Sequence, residues 1–402
     1  MFRVTRYIKT LLEPTPLGPA RKPPGPVVIW NLIRRCNLTC KHCYTTSADI
    51  DFKGELSTEE ALAVLEDLKG FRVPALILSG GEPLMRPDIF ELSRRARELG
   101  IYAGLSTNGT LIDEDNIGEI ADVGYDYVGI SIDGLEATHD LFRQRQGAFR
   151  ESMHAVALCK AHGIKVGLRT TLTQHNFDEL PQILAMLDEH DVDKFYLSHL
   201  NYGGRGHRHR KQDAWYRMTR DAMTYLFDHC LSELERGVER EYVTGNNDAD
   251  GAFLLQWARE RFPDQADTLR QRLGQWGGNA SGENIANIDN LGNVHPDTFW
   301  WDHHLGNVRE LPFSRIWRDT QDPLMLGMRQ HPRPVKGRCA ECRYLAICNG
   351  NTRVRAWKVS GDPWEEDPGC YLTNEEIGVA EGERRIHAPA DAPLSTIRAV
   401  EL

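Results

Sequence analysis

From residue 27 to about residue 200 the chain alternates short apolar runs with amphipathic stretches of helical length, and that rhythm leaves few folds open. Neighbouring parallel strands cannot be joined by a tight turn, so each pair needs a crossover, usually a helix. The apolar runs predict strands at Val27–Leu32, Ala75–Leu78, Tyr102–Ser106, Tyr127–Ile132, Lys165–Thr171 and Lys194–Ser198. Helices are expected between them near 57–69, 87–99, 112–123, 149–162 and 177–189, with Pro87 and Pro181 close to two helix starts, where proline is tolerated. Six such units fall short of a closed eight-stranded barrel, which takes roughly 250 residues. The expectation is an α/β fold with a partial (β/α)6 barrel, its chemistry at the carboxyl ends of the strands.

The first of those strand ends carries Cys36, Cys40 and Cys43, a C-x3-C-x2-C triplet. A cubane iron–sulfur cluster and a tetrahedral zinc ion each take four ligands, so three thiolates leave one corner open. The structural alternative is a zinc knot completed by His42 or a distant residue, although His42 lies between two of the cysteines. Nine cysteines in all, seven of them clustered at 36–43 and 339–370, point to metal rather than disulfides. Cys159 and Cys230 stand alone in helical patterns, as small buried apolar residues do.

A net charge of −10 argues against a nucleic-acid partner for the chain as a whole. No apolar run is long enough for a membrane span and no signal-peptide core follows Met1, so a cytoplasmic protein is expected. The boundaries predicted are a basic, proline-rich lead-in at 1–26, the barrel at 27–211, a helical connection at 212–275, a cysteine-bearing module at 276–379 and a disordered tail at 380–402. In the connection, 212–237 and 250–275 read as two amphipathic helices. Within the module, Asn284–Asp289 and Asn293–His295 read as a hairpin around Asn290-Leu291-Gly292.

Polar groups recur at the other strand ends: Ser79-Gly80-Gly81-Glu82-Pro83, Ser106-Thr107-Asn108-Gly109 and Ser131-Ile132-Asp133-Gly134. Glycines admit close backbone approach, and Glu82 offers a carboxylate to an ammonium group. Cys339, Cys342, Cys348 and Cys370 make a closed set of four, with a zinc ribbon as the alternative to a cluster. Six of the eleven residues from Asn201 to Lys211 are Arg, Lys or His, a composition that most often marks a solvated face. At a strand end, however, Arg205, His207, Arg208, His209 and Arg210 could bind carboxylates.

Taken together, the triplet, the Gly-Gly-Glu-Pro run and the polar strand ends resemble the radical S-adenosylmethionine (SAM) superfamily. The resemblance implies a [4Fe–4S] cluster on Cys36, Cys40 and Cys43, with SAM chelating its open iron through amino and carboxylate groups. It implies reductive cleavage of SAM to a 5′-deoxyadenosyl radical, with flavodoxin or ferredoxin as reductant. By family position, Gly80, Gly81 and Glu82 would engage the methionine amino group, Ser106, Asn108 and Ser131 the ribose region, and the His42 backbone the adenine. The second cysteine set and the stretch Asn287–Asp297 resemble the SPASM/twitch module and imply an auxiliary [4Fe–4S] cluster. Asp297 and Thr352 stand where full SPASM modules carry cysteines, which implies one auxiliary cluster rather than two.

The likeness extends over nearly the whole chain to about residue 379, and includes Pro14–Gly18, Pro23–Thr45, Phe195–Gly206, Val243–Gly251, Trp276–Gly282, His295–Trp301 and Cys342–Arg355. These segments resemble the radical SAM enzymes of haem d1 biosynthesis. Membership implies a tetrapyrrole substrate, didecarboxysirohaem, and oxidative loss of two propionate side chains, with the auxiliary cluster as a candidate electron acceptor. His199, His207 and His209 then become candidate ligands for the substrate iron. The rival readings are the propionate decarboxylase of the alternative haem pathway, a SPASM-type peptide maturase, and a metal scaffold without turnover.

Overall fold

The computed structural model of the chain describes residues 1–19 and 23–380. Eleven strands form one sheet among the described residues: β1 Phe2–Arg3, β2 Val27–Asn31, β3 Ala75–Ser79, β4 Tyr102–Thr107, β5 Tyr127–Ser131, β6 Val166–Leu172, β7 Lys194–His199, β8 Glu241–Gly245, β9 Ile285–Ile288, β10 Asn293–His295 and β11 Gly306–Asn307. Their order is β1-β8-β7-β6-β5-β4-β3-β2-β9-β10-β11, and β2 to β8 run parallel. Val28, Trp30, Leu76, Leu78, Leu105, Val128, Ile130, Val166, Leu168, Phe195 and Leu197 are all buried, so burial explains the apolar runs that announce these strands.

The crossover helices lie where periodicity places them: Thr58–Gly70, Ile89–Glu98, Ile117–Val123, Ala148–Ala161 and Leu180–Glu189. The first opens on a capping box, in which the Ser57 side chain and Glu60 satisfy each other's backbone donors. An additional helix, Glu136–Arg143, follows β5 directly.

Three differences from the sequence reading matter. The seventh parallel strand, β8, lies inside the stretch assigned to a helical connection, so the barrel sheet continues past residue 211. The pattern over 250–275 divides at Pro263 into two helices, Ala249–Arg261 and Ala266–Trp276. The first half of the expected lead-in is ordered structure: β1 pairs antiparallel with β8, and helix Val4–Leu12 buries Val4, Tyr7, Ile8 and Leu11. The expected hairpin is present as β9 and β10, and β9 pairs parallel with β2 on the edge opposite β3. The hairpin therefore extends the barrel's own sheet. Of the tail, residues 381–402 lie outside the described residues.

The segment Thr244–Gly251 joins β8 to the cysteine-bearing region. Asn247 donates to the Gly369 carbonyl (2.8 Å), the Asp248 amide to Asn351 (2.7 Å), and Asn279 to Asp248 (2.9 Å). Buried Asp250 accepts from His199 (3.0 Å), Thr244 (2.5 Å) and Tyr371 (2.7 Å). A buried network with every member paired is rigid.

Candidate active site

The cysteine loop leaves β2 and is held from both sides. The Gly81 amide donates to the Ile33 carbonyl (2.6 Å) and the Glu82 amide to that of Arg35 (2.9 Å). A Cβ on Gly81 would collide with the Arg34 and Arg35 carbonyls, and one on Gly80 would stand 2.6 Å from the Ile33 oxygen. Glycine is therefore required here by the close approach of two backbones. On the other side, Arg205 donates to the carbonyls of Cys40 (2.7 Å) and Ser47 (2.9 Å), and its own amide to that of Cys43 (2.9 Å).

Cys36 and Cys40 are buried and Cys43 half-buried, packed as one group with Leu38. Each thiol has a donor beside it. Cys36 accepts from the Leu38 amide (3.4 Å) and, more distantly, from Asn108 Nδ2 (3.9 Å), while Cys43 lies 3.0 Å from the Thr45 hydroxyl. Cys40 accepts from Arg143 Nη1 at 3.6 Å. Burial pushes the Cys36 and Cys40 thiols up, and in Cys40 the Arg143 charge opposes it. Neutral thiols are what such a pocket favours, and a bound metal is what holds coordinating thiols deprotonated.

Behind the loop lies a network the sequence reading missed. Asp133 and Arg143, both buried, pair at 2.6 Å, and the Thr171 amide donates to Asp133 at 2.7 Å. His42 Nε2 lies 3.4 Å from the same carboxylate, and its ring stacks on Phe142 with centroids 4.6 Å apart. Burial opposes ionisation of Asp133, yet Arg143, His42 and His139 hold its carboxyl below the usual range. Burial lowers His42 to about 4, so it meets Asp133 as a neutral donor. The imidazole is thus turned towards Asp133 and Phe142, rather than completing a zinc knot.

Glu82 is fully buried. Its carboxylate accepts from Thr107 (2.7 Å) and from the amides of Asn108 (2.8 Å) and Leu84 (3.2 Å), and burial raises it to about 7. In this structure it braces the strand ends around the glycines. Asn108 donates to Asn37 (2.9 Å) and accepts from Thr110, so it faces the cysteine loop. Ser106 accepts from Arg169, and Ser131 is half-buried at the end of β5.

The basic run forms a short helix, Gly204–Arg208, and a following turn, Arg210–Gln212. Arg205 is engaged by the cysteine loop, so its guanidinium is a strut of the loop rather than a free carboxylate fork. Arg208 is exposed, and Arg210 donates to the His207 carbonyl (3.1 Å). Burial, with nearby cations, lowers both His207 and His209. His199 is tied to Asp250 instead.

Cys339, Cys342, Cys348 and Cys370 line one cavity, together with Arg338, Tyr344, Asn351 and Leu372. Cys342 accepts from the Tyr344 amide (3.3 Å), and Arg338 Nη2 approaches Cys370 at 3.9 Å. Burial raises Cys339 to about 12 and Cys342 to about 11, and the neighbouring thiols add to the rise. Among the described residues no three His, Cys, Asp or Glu side chains are drawn together tightly enough for a single ion; the four thiols share a wider space. Asp297 is buried and accepts from Ser281 (2.6 Å) and the Phe299 amide (2.8 Å), while Thr352 is buried at the start of helix Arg353–Ser360. All nine cysteines are free thiols, and Cys159 and Cys230 are core residues.

Comparison with known proteins agrees with this geometry. Residues 30–187 match the model of the radical SAM superfamily. The chain is 53% identical over 382 residues to the pre-heme d1 synthase of Dinoroseobacter shibae, covering 94% of each. It is 43% identical to the Fe-coproporphyrin III synthase of Methanosarcina barkeri, covering 89% of this chain and 90% of that one. Among solved structures, Streptococcus suis SuiB bound to S-adenosylmethionine superposes with a TM-score of 0.68 at 18% identity, over 87% of this chain and 78% of SuiB. anSMEcpe with bound AdoMet superposes at 0.65 and 19% identity, over 88% and 98%. With a cysteine triplet at the end of the first barrel strand, a backbone clamp that only glycine permits and near full-length similarity to such enzymes, the chain belongs to the radical SAM superfamily.

Proposed function

We propose that this chain is a radical SAM enzyme of haem d1 biosynthesis, removing two propionate side chains from didecarboxysirohaem. The observation that carries this reading is the 53% identity to a pre-heme d1 synthase over 94% of both chains. Cys36, Cys40 and Cys43 hold a [4Fe–4S] cluster that, with SAM and an electron from a flavodoxin or ferredoxin, supplies a carbon-centred oxidant for hydrogen abstraction. Cys339, Cys342, Cys348 and Cys370 hold an auxiliary cluster, supported by their shared cavity. Around these groups the chain's own residues orient and exclude water: Arg143 faces Cys40, Asn108 faces Cys36, and Tyr44 meets Phe299 and Trp301 edge-on at 5.3 and 6.3 Å. The protein acts in the cytoplasm on this reading; no helix among the described residues is long and apolar enough to cross a membrane.

A second reading follows from the 43% relative: a product of the Fe-coproporphyrin type. Relatives named AdoMet-dependent heme synthase stand at 28–30% identity, which makes the alternative-haem reading weaker. Anaerobic turnover of didecarboxysirohaem with SAM and reductant decides between them by product mass. Loss of two propionates with 5′-deoxyadenosine formed supports the first reading. Loss of acetate-derived groups, or no tetrapyrrole turnover, overturns it.

A further inference from the structure

Arg169 is a cation inside the barrel with no acid to balance it among the described residues. It lies on β6, level with Ser131 of β5 and Tyr196 of β7. Its guanidinium carbon is 5.3 Å from the centre of the Tyr196 ring, and Nη1 donates to the Ser106 hydroxyl on β4. To reach Ser106 the side chain must cross β5, where Gly129 stands; a Cβ there would be 3.1 Å from Arg169 Cδ. The missing side chain at 129 thus lets the guanidinium lie along the inner wall.

Three buried cations have carboxylates: Arg143 has Asp133, Arg240 has Glu233 and Arg355 has Asp367. Buried Arg333 and Arg353 lack one but have their guanidinium groups taken up by several carbonyl and amide oxygens. The Arg169 side chain forms no ion pair among the described residues, and Ser106 is the one hydrogen-bond partner of its guanidinium there. It is half-buried rather than solvated at the surface. Leaving a charge in such a position without a partner is costly, and a guanidinium fork matches a carboxylate in two parallel hydrogen bonds. Its charge is felt by the phenols of Tyr44, Tyr127 and Tyr196, and Tyr44 in turn meets the module's Phe299 and Trp301 edge-on.

We propose that Arg169 is the carboxylate anchor for the substrate, its guanidinium receiving a propionate of the tetrapyrrole inside the barrel. This rests on the functional reading above. The methionine carboxylate of SAM is the other carboxylate available, but it belongs with the cluster at Cys36, Cys40 and Cys43. The cation beside that group is Arg143, whereas the Arg169 guanidinium bonds to Ser106 and to none of the three cysteines among the described residues.

The test uses anaerobically purified, cluster-loaded protein, with absorbance titration of didecarboxysirohaem and of its methyl ester, and equilibrium dialysis of SAM. Arg169→Gln is expected to bind the free acid about 10- to 100-fold more weakly than wild type, with iron content and SAM affinity unchanged. Arg169→Lys should retain part of the affinity, and the ester should bind wild type and Arg169→Gln equally. Equal binding of the free acid by wild type and Arg169→Gln overturns the anchor and leaves the functional reading standing. A loss of SAM affinity in place of tetrapyrrole affinity assigns Arg169 to the methionine carboxylate and also overturns it. Failure of wild type to bind the tetrapyrrole at all overturns both.

Discussion

Removing Arg143 should damage the chain more than its position outside the cysteine motif suggests. Asp133 is buried with no exposed surface, and its charge is balanced at 2.6 Å by Arg143, aided by the Thr171 amide at 2.7 Å and a neutral His42. Substituting Arg143→Met leaves that carboxylate without a counter-ion, which typically costs about 3–5 kcal/mol, or roughly two to four decades in the folding equilibrium. Asp133→Asn should be costly for the mirror reason, stranding the guanidinium beside Cys40. The double variant removes both charges, so its cost should fall short of the sum of the singles by about 2 kcal/mol. Urea denaturation followed by far-ultraviolet circular dichroism, with all four proteins handled anaerobically, gives the cycle. The argument is refuted if the two single costs simply add, because the pair would then be no more than two independent side chains. A secondary sign is expected in the iron: Arg143→Met loses the donor to Cys40 and should release iron faster on chelator challenge.

Other substitutions probe separate parts of the account. Gly81→Ala should displace the cysteine loop through its clash with the Arg34 and Arg35 carbonyls, halving iron content or worse while far-ultraviolet circular dichroism stays near wild type. Cys348→Ser should lose about four irons yet still form 5′-deoxyadenosine from SAM and reductant; retention of all iron would contradict the auxiliary-cluster assignment. Asp213, bonded by Tyr202 at 2.9 Å, is raised by burial to about 6 from an ordinary 3.8. Its folded form holds the proton more tightly, so its contribution is full below about pH 4 and lost as pH rises through 6. Between about pH 5 and pH 7.5 the wild-type denaturation midpoint should therefore fall relative to that of Asp213→Asn; parallel curves would count against the burial argument.

Most strands of the barrel were legible because they are largely buried, which writes apolar runs into β2 to β5, while β7 shows instead as an alternation of buried and half-buried residues. β8 was not, since Glu241-Tyr242-Val243-Thr244-Gly245 offers only two strongly apolar residues and follows a charged stretch. Helix Val4–Leu12 does carry a helical pattern at Val4, Tyr7, Ile8 and Leu11, but the proline-rich residues after it drew the whole lead-in towards loop. Helix Glu136–Arg143 buries only His139, Phe142 and Arg143, too little for periodicity to announce. At the site, metal-ligand spacing names the cysteines, because that pattern is local. Glu82 meets Thr107, Arg143 meets Cys40 and Arg205 meets the Cys40 carbonyl across 25 to 165 residues of chain, and no local pattern encodes those contacts. Glu82 looked available for an ammonium group, and its bonds to Thr107, Asn108 and Leu84 become visible only when β3 and β4 are side by side. Arg205, likewise, read as one more cation in a basic run, while the fold turns it onto the Cys40 and Ser47 carbonyls.

The decisive matter is whether the cluster proposed on Cys36, Cys40 and Cys43 has a corner, its fourth iron, that the polypeptide does not ligate. Electron–nuclear double resonance on the reduced, cluster-loaded protein, mixed with SAM labelled with nitrogen-15 in its amino group, reads that corner directly. A nitrogen-15 coupling that disappears in Cys40→Ala is the predicted result. An intact reduced cluster with no such coupling, or one whose coupling comes from a protein nitrogen instead, would contradict the account.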